Sequence, residues 1–187
     1  RTLKIPDYLD LFVAMTGRAP YCGTYADSGR QARRIVELAA VPTDVDDGFW
    51  PLLGWVLGKL SPDRIPLLRG LEEMNVDDDA MKAVCAAFGS TSGAPMLHIA
   101  GHTPEAGMPS APAADRVTID REMLADAWRQ LNSGGADIDL VAIGSPHLSL
   151  AELHVIDAVF DGRHRHSDMK LILTIGRDVL DIAPDGK

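Results

Sequence analysis

Short apolar runs alternate with longer amphipathic stretches along most of this chain, and that alternation limits the fold most. Strand candidates are Arg64–Leu68, Pro95–Ile99, Val117–Ile119, Asp139–Ile143 and Met169–Ile175. Helices are predicted over Asp7–Met15, Phe49–Leu60, Asp77–Phe88, Asp120–Leu131 and Leu148–Phe160, with a last one starting near Arg177 and cut off by Pro184. Strands separated by helices favour a parallel sheet covered on both faces. The expected fold class is therefore α/β, a mostly parallel sheet with helices on both faces in three layers. Arg33–Leu38 stays ambiguous, because Ile35-Val36 suggests a strand while Arg30-Gln31-Ala32 favours helix.

Local signals support several boundaries. Gly17 stops the first helix, and Pro51 suits the first turn of the second. Asp77-Asp78-Asp79 supplies an N-cap and a negative first turn, and Asp120 caps the helix that follows it. Val41–Gly48 reads as a Pro/Asp loop. Gly101–Arg116, rich in Pro, Ala and Gly, reads as a functional loop or tether inside a single domain spanning 1–187.

The 187 residues suffice for one core. Hydrophobic residues make up 46% and charged residues 24%, the balance of a soluble globular protein. The formal charge of −9, with no basic stripe, argues against a nucleic-acid partner. The run Leu52–Leu60 is too short to span a bilayer, so no membrane role is expected. Cys22 and Cys85 are the two cysteines and lack metal-type spacing, which suggests free thiols and a cytoplasmic location.

Three segments carry the chemistry. Phe88–Pro95 contains Ser90-Thr91-Ser92-Gly93, His98–Ala106 contains His98, His102 and Thr103, and the third is Gly144-Ser145-Pro146-His147. Each sets hydroxyls, a histidine or bare N–H groups beside glycine at a predicted strand or helix end. Such donors suit a carboxylate or another anionic or zwitterionic small molecule. Ser and Gly also make ordinary turns and caps, and His98 between Leu97 and Ile99 also reads as a buried, satisfied histidine. His147, expected at a helix start, suits a neutral acid–base role as well as a capping one. Arg18 beside Gly17 suits a carboxylate clamp or a simple helix end. The catalytic candidates are Ser145 and His147. The substrate-binding candidates are Arg18, Ser90, Thr91, Ser92, Gly93, His98, Thr103 and Gly144. All five hydroxyl and imidazole groups of Ser90, Ser92, Thr103, Ser145 and His147 are expected in one pocket.

Other site classes find little support. There is no His-x-x-x-His on a predicted helix, since His98 and His102 are four apart on a strand-to-loop path, and no Cys-x-x-Cys, Gly-x-Ser-x-Gly elbow, Gly-x-Gly-x-x-Gly or P-loop.

The words Ala14–Pro20, Phe49–Gly54, Arg64–Pro66, Ala86–Met96, His98–Ala106 and Asp139–Ser149 with Glu152, in this order, resemble the catalytic domain of the aconitase X family. The opening Arg1–Asp10, and Ser145 where other branches carry Cys, are most similar to its cis-3-hydroxy-L-proline dehydratase branch. The other branch dehydrates mevalonate 5-phosphate. The resemblance implies a hydro-lyase, with iron or an iron–sulfur cluster as Lewis acid in the complete enzyme. It also implies a small swivelling domain or subunit that closes over the site. Cys22 stands where the family has an aromatic residue, and Cys85 falls inside a helix, so neither is expected to ligate a cluster. The chain is expected to be an internal part of a larger catalytic domain, inactive and cluster-free alone. A truncated α/β binding or scaffold domain is the alternative.

Overall fold

A computed structural model describes residues 4–39, 41 and 45–183. The predicted features at Arg1–Leu3, in the middle of the Val41–Gly48 loop and at Pro184 lie outside them. Where the sequence reading expects one domain over 1–187, the contacts divide the chain into two compact units, Arg1–Leu131 and Asn132–Lys187. The division falls just before Ser133-Gly134-Gly135, past the end of the helix predicted through Leu131.

The first unit begins with helix α1 (Asp7–Thr16), which ends at Gly17 in the left-handed region. Two 3-10 turns follow, Gly23–Tyr25 and Asp27–Arg30. Then come β1 (Arg34–Leu38), α2 (Phe49–Leu60), β2 (Pro66–Arg69), α3 (Asp78–Thr91), β3 (His98–Ile99), β4 (Asp115–Ile119) and α4 (Arg121–Leu131). The ambiguous segment is a strand because it is the centre of the sheet. It pairs in parallel with β2 on one side and β4 on the other, in the order β3-β2-β1-β4. Tertiary pairing thus overrides its mixed local propensity.

The expected caps are present. Asp77 accepts a hydrogen bond from the Ala80 amide at 2.8 Å, and Asp120 from the Met123 amide at 2.9 Å. The predicted α3 end at Phe88 is too early. Gly89 does not stop the helix, which runs on through Ser90 and Thr91.

Val36, Leu38, Leu68, Ile99 and Ile119 point to one face of the sheet, where Leu53, Leu57, Val84, Phe88, Leu124 and Ala127 of α2, α3 and α4 complete the core. On the other face Ile35, Leu67 and His98 stand in register, all buried. The β3–β4 connection returns across this face, the side a right-handed crossover demands. Ala111 donates its amide to Ala32 O at 2.8 Å, and Glu105 pairs with Arg30 of the second 3-10 turn. The Pro/Gly-rich segment is therefore the crossover of the sheet, not a tether.

The second unit is a parallel pair, β5 (Leu140–Leu148) and β6 (Lys170–Ile175), with helices α5 (Leu150–Phe160) and α6 (Arg177–Ile182). Helix α5 starts later than expected. Ser149 caps it in a reciprocal box, accepting from the Glu152 amide at 3.1 Å while its own amide donates to Glu152 Oε2 at 2.7 Å. The expected parallel α/β architecture is present in both units.

Candidate functional site

The candidate residues of the first unit do not form one pocket. Ser92 and Gly93 follow α3 and precede β3, at the amino ends of the strands. Ser92 Oγ donates to Ser61 O at 2.5 Å, and the Gly93 amide donates to Pro62 O at 2.8 Å. Thr103 follows β3, at the carboxyl ends. The shared-pocket expectation is corrected on this point, because consecutive helices and parallel strands alternate between the two edges.

Most of the candidate polar groups here are already committed to the fold. Ser90 Oγ donates to Ala87 O at 2.8 Å, and Thr91 Oγ1 donates to Ala87 O at 3.0 Å, both back into their own helix. Ser92 is buried and also accepts from the Ala94 amide at 3.0 Å. Thr103 Oγ1 accepts from the Ile99 amide at 2.9 Å. His98 is 2% exposed, with Nε2 at 2.7 Å from Arg30 O. It is the buried, satisfied histidine of the two readings. His102 Nε2 lies 2.8 Å from Leu71 O. Arg18 is exposed just past α1, and its amide donates to Thr16 Oγ1 at 3.3 Å.

A cleft of about 390 Å³ opens beside Lys4, Cys22, Tyr25, Arg33, Arg64 and Pro95. Arg33, Ile65 and Pro95 precede β1, β2 and β3, so the cleft lies at the amino edge. Parallel sheets present ligands at the opposite, carboxyl edge. None of the candidate catalytic or binding residues lines this cleft.

Gly144–His147 is different. The expected turn is instead a wide irregularity inside β5. Pairing runs from Leu140↔Lys170 to Ile143↔Leu173 and resumes at Leu148↔Ile175. Four residues of β5 thus bulge out opposite Thr174 alone. Such bulges re-aim side chains at functional edges. Gly144 makes the bulge possible. Its φ is +105°, and a Cβ there would lie 2.5 Å from Thr174 O. Ser145 and His147 are exposed, and among the described residues no hydrogen bond holds either side chain. Their polar atoms are available to a ligand at the carboxyl end of β5. His147 precedes the α5 cap by two residues, so it is not at the helix start as expected.

The sequence reading missed Gly176 and Asp178, which stand just past the end of β6. The signal available was the Gly-Arg-Asp run between a strand and a helix.

The iron chemistry implied by the family resemblance can be tested against the donors. Cys22 is exposed and Cys85 is half-buried in α3. Burial pushes the Cys85 thiol up to about 11, away from the thiolate a metal needs. Among the described residues no three His, Cys, Asp or Glu side chains gather as ligands. A cluster takes three or four thiolates, so the donors of this chain do not fit one.

Comparison with known proteins follows the same lines. The sequence model of the aconitase X second domain matches residues 32–129, a span inside the first unit. A cis-3-hydroxy-L-proline dehydratase of Pseudomonas aeruginosa is 42% identical over 96% of this chain and 32% of its own length. One of Hypocrea jecorina is 38% identical over 98% of this chain and 32% of its own length. The phosphomevalonate dehydratase large subunit of Methanocaldococcus jannaschii is 27% identical, over 85% of this chain and 41% of its own. The crystal structure of Thermococcus kodakaraensis aconitase X in its holo-form matches with a TM-score of 0.79 at 26% identity, covering 92% of this chain and 44% of that one. The chain spans about a third of the two hydroxyproline dehydratases it matches. The quoted words and the parallel α/β architecture agree with these matches: the chain belongs to the aconitase X family.

Proposed function

We propose that this chain forms part of a hydro-lyase that dehydrates cis-3-hydroxy-L-proline to Δ1-pyrroline-2-carboxylate. The observation that carries this reading is the higher identity to the two hydroxyproline dehydratases than to the phosphomevalonate enzyme, over nearly the whole chain.

In the reaction the C2–H bond breaks and its electron pair forms C2=C3. The C3–O bond breaks as that pair forms, and the hydroxyl leaves as water after taking up a proton. The resulting enamine tautomerises to the cyclic imine. His147 moves a proton through its exposed imidazole, and Ser145 donates its hydroxyl to the substrate, both from the β5 bulge. We place iron or an iron–sulfur cluster in the complete enzyme, on residues other than those described here. The partner is a small swivelling domain or subunit of the same enzyme, in keeping with the "large subunit" name of the phosphomevalonate relative. No helix among the described residues is long and apolar enough to cross a membrane, in keeping with a cytoplasmic enzyme.

The test is an assay of the active enzyme carrying this chain, with cis-3-hydroxy-L-proline and with mevalonate 5-phosphate. Turnover of the proline, lowered at least about tenfold by Ser145→Ala with the fold intact, is the expected result. Turnover of the phosphate alone would move the protein to the other branch. Turnover of neither would leave a non-catalytic binding or scaffold domain.

A further inference from the structure

In the second unit two chemically complementary side chains approach the same bare glycine. Leu148 of β5 pairs with Ile175 of β6. His147 and Gly176 lie on opposite sides of this pair along the parallel strands, yet the His147 ring reaches to 4.0 Å from the position a Gly176 Cβ would take. Gly176 is the N-cap of α6 and has an ordinary extended backbone, with φ −71° and ψ 154°. Its lack of a side chain matters for space, not for backbone freedom. A Cβ at Gly176 would lie 2.4 Å from Asp178 Oδ1 and 4.0 Å from His147 Nδ1. The Asp178 carboxylate thus folds back over the bare Gly176 Cα, and the His147 imidazole presents Nδ1 to the same gap. Their separation cannot exceed the sum of those two distances. One bridging water or one rotation of the Asp178 side chain closes it.

From this juxtaposition we infer that Asp178 is the positioning residue for His147. A carboxylate facing Nδ1 selects the tautomer that carries the proton there, because a carboxylate accepts and does not donate. Nε2 is then left with its lone pair, pointing away from Asp178 and free to take a proton. A ring fixed in this way is a better base than one that rotates and exchanges tautomers. Gly176 belongs to the same device, since any side chain there displaces the carboxylate. The catalytic consequence rests on the role proposed above for His147; the tautomer does not.

The experiment is therefore read in two parts. Ring-15N-labelled histidine in the 187-residue chain reports the His147 tautomer by long-range proton–nitrogen correlation. The native chain is expected to show the Nδ1–H form. Asp178→Ala should move it toward Nε2–H, and Asp178→Glu should restore it. Gly176→Ala, which changes neither partner's identity but puts a Cβ where the Asp178 carboxylate lies, should move it in the same direction as Asp178→Ala. Backbone amide spectra confirm that each variant is folded. An unchanged tautomer in folded Asp178→Ala and Gly176→Ala overturns the assignment, whatever the activity. In the active enzyme, Asp178→Ala should lower kcat at least about tenfold with little change in KM. A shifted tautomer with unchanged kcat would keep the positioning role and refute His147 as the proton carrier.

Discussion

Arg34 and Asp115, the first residues of adjacent parallel strands, are joined by a two-pronged ion pair. Arg34 Nε donates to Asp115 Oδ1 at 2.9 Å, and Nη2 donates to Oδ2. The remaining arm of Arg34 donates to Leu60 O at the end of α2, and Arg64 Nη1 approaches Asp115 Oδ2 at 3.3 Å. One carboxylate therefore ties β4 to β1 and to the segment before β2. The Arg34 hydrogen bonds hold the Asp115 carboxyl below the usual carboxylate range, and the Arg34 and Arg64 charges act in the same direction. A lowered folded value means stability that is present above the ordinary carboxylate value of about 4 and lost as pH falls through the folded one. Asp115 is 41% exposed, so the gain is under about 1 kcal/mol. Asp115→Asn should melt earlier at pH 7, and the gap to the native chain should close in acid. A gap independent of pH would show that the pair contributes through shape alone.

Helices α2 and α3 approach so closely at Gly54 that a Cβ there would lie 2.3 Å from Val84 O. That neighbour is backbone and cannot swing aside. Gly54→Ala should therefore cost about 1–3 kcal/mol in urea unfolding, despite alanine's better helix propensity. Gly89 in α3 has nothing within 4 Å of its Cβ position. Gly89→Ala should stabilise by up to about 1 kcal/mol. Equal effects at the two sites would contradict the helix contact.

The two thiols should differ in reactivity. Cys22 is exposed, whereas burial holds Cys85 as a neutral thiol with a value near 11. Brief iodoacetamide treatment of the native chain at pH 8 should give one adduct, on Cys22, by peptide mass spectrometry. In denaturant both should react. Equal labelling in the native chain would mean that α3 opens readily.

What could be read from the sequence was what local chemistry decides. Asp77 and Asp120 bond amides three residues on, and Gly17 turns the chain where its lack of a Cβ permits. The strand character of Ile35-Val36 was not decidable locally, because it comes from partners on both sides that are distant in sequence. The same is true of the site. Ser92 and Thr103 look alike as hydroxyls beside turns, yet the sheet sends them to opposite edges. Gly144–His147 looks like a strand-to-helix turn, but pairing resumes at Leu148 and makes it a bulge. Asp178 was invisible, since only the folded chain brings its carboxylate and the His147 ring to the same bare glycine, Gly176.

The bulge supplies the last prediction. Gly144 combines a φ of +105° with a Cβ position 2.5 Å from Thr174 O and 3.0 Å from Leu148 Cγ. The first feature strains any other residue, and the second leaves no room for one. Gly144→Ala must shift β5 away from β6 or flatten the bulge, at a cost of about 1–3 kcal/mol. Amide hydrogen exchange should show faster exchange along Leu140–Ile143 and Lys170–Ile175, with α2 and α3 unchanged. Gly134 is the control in the same unit, because its Cβ position is open. Gly134→Ala should leave the exchange of both strands as in the native chain. If Gly144→Ala behaves like Gly134→Ala, the bulge tolerates a side chain, and the close approach of its backbone to β6 cannot be what presents Ser145 and His147.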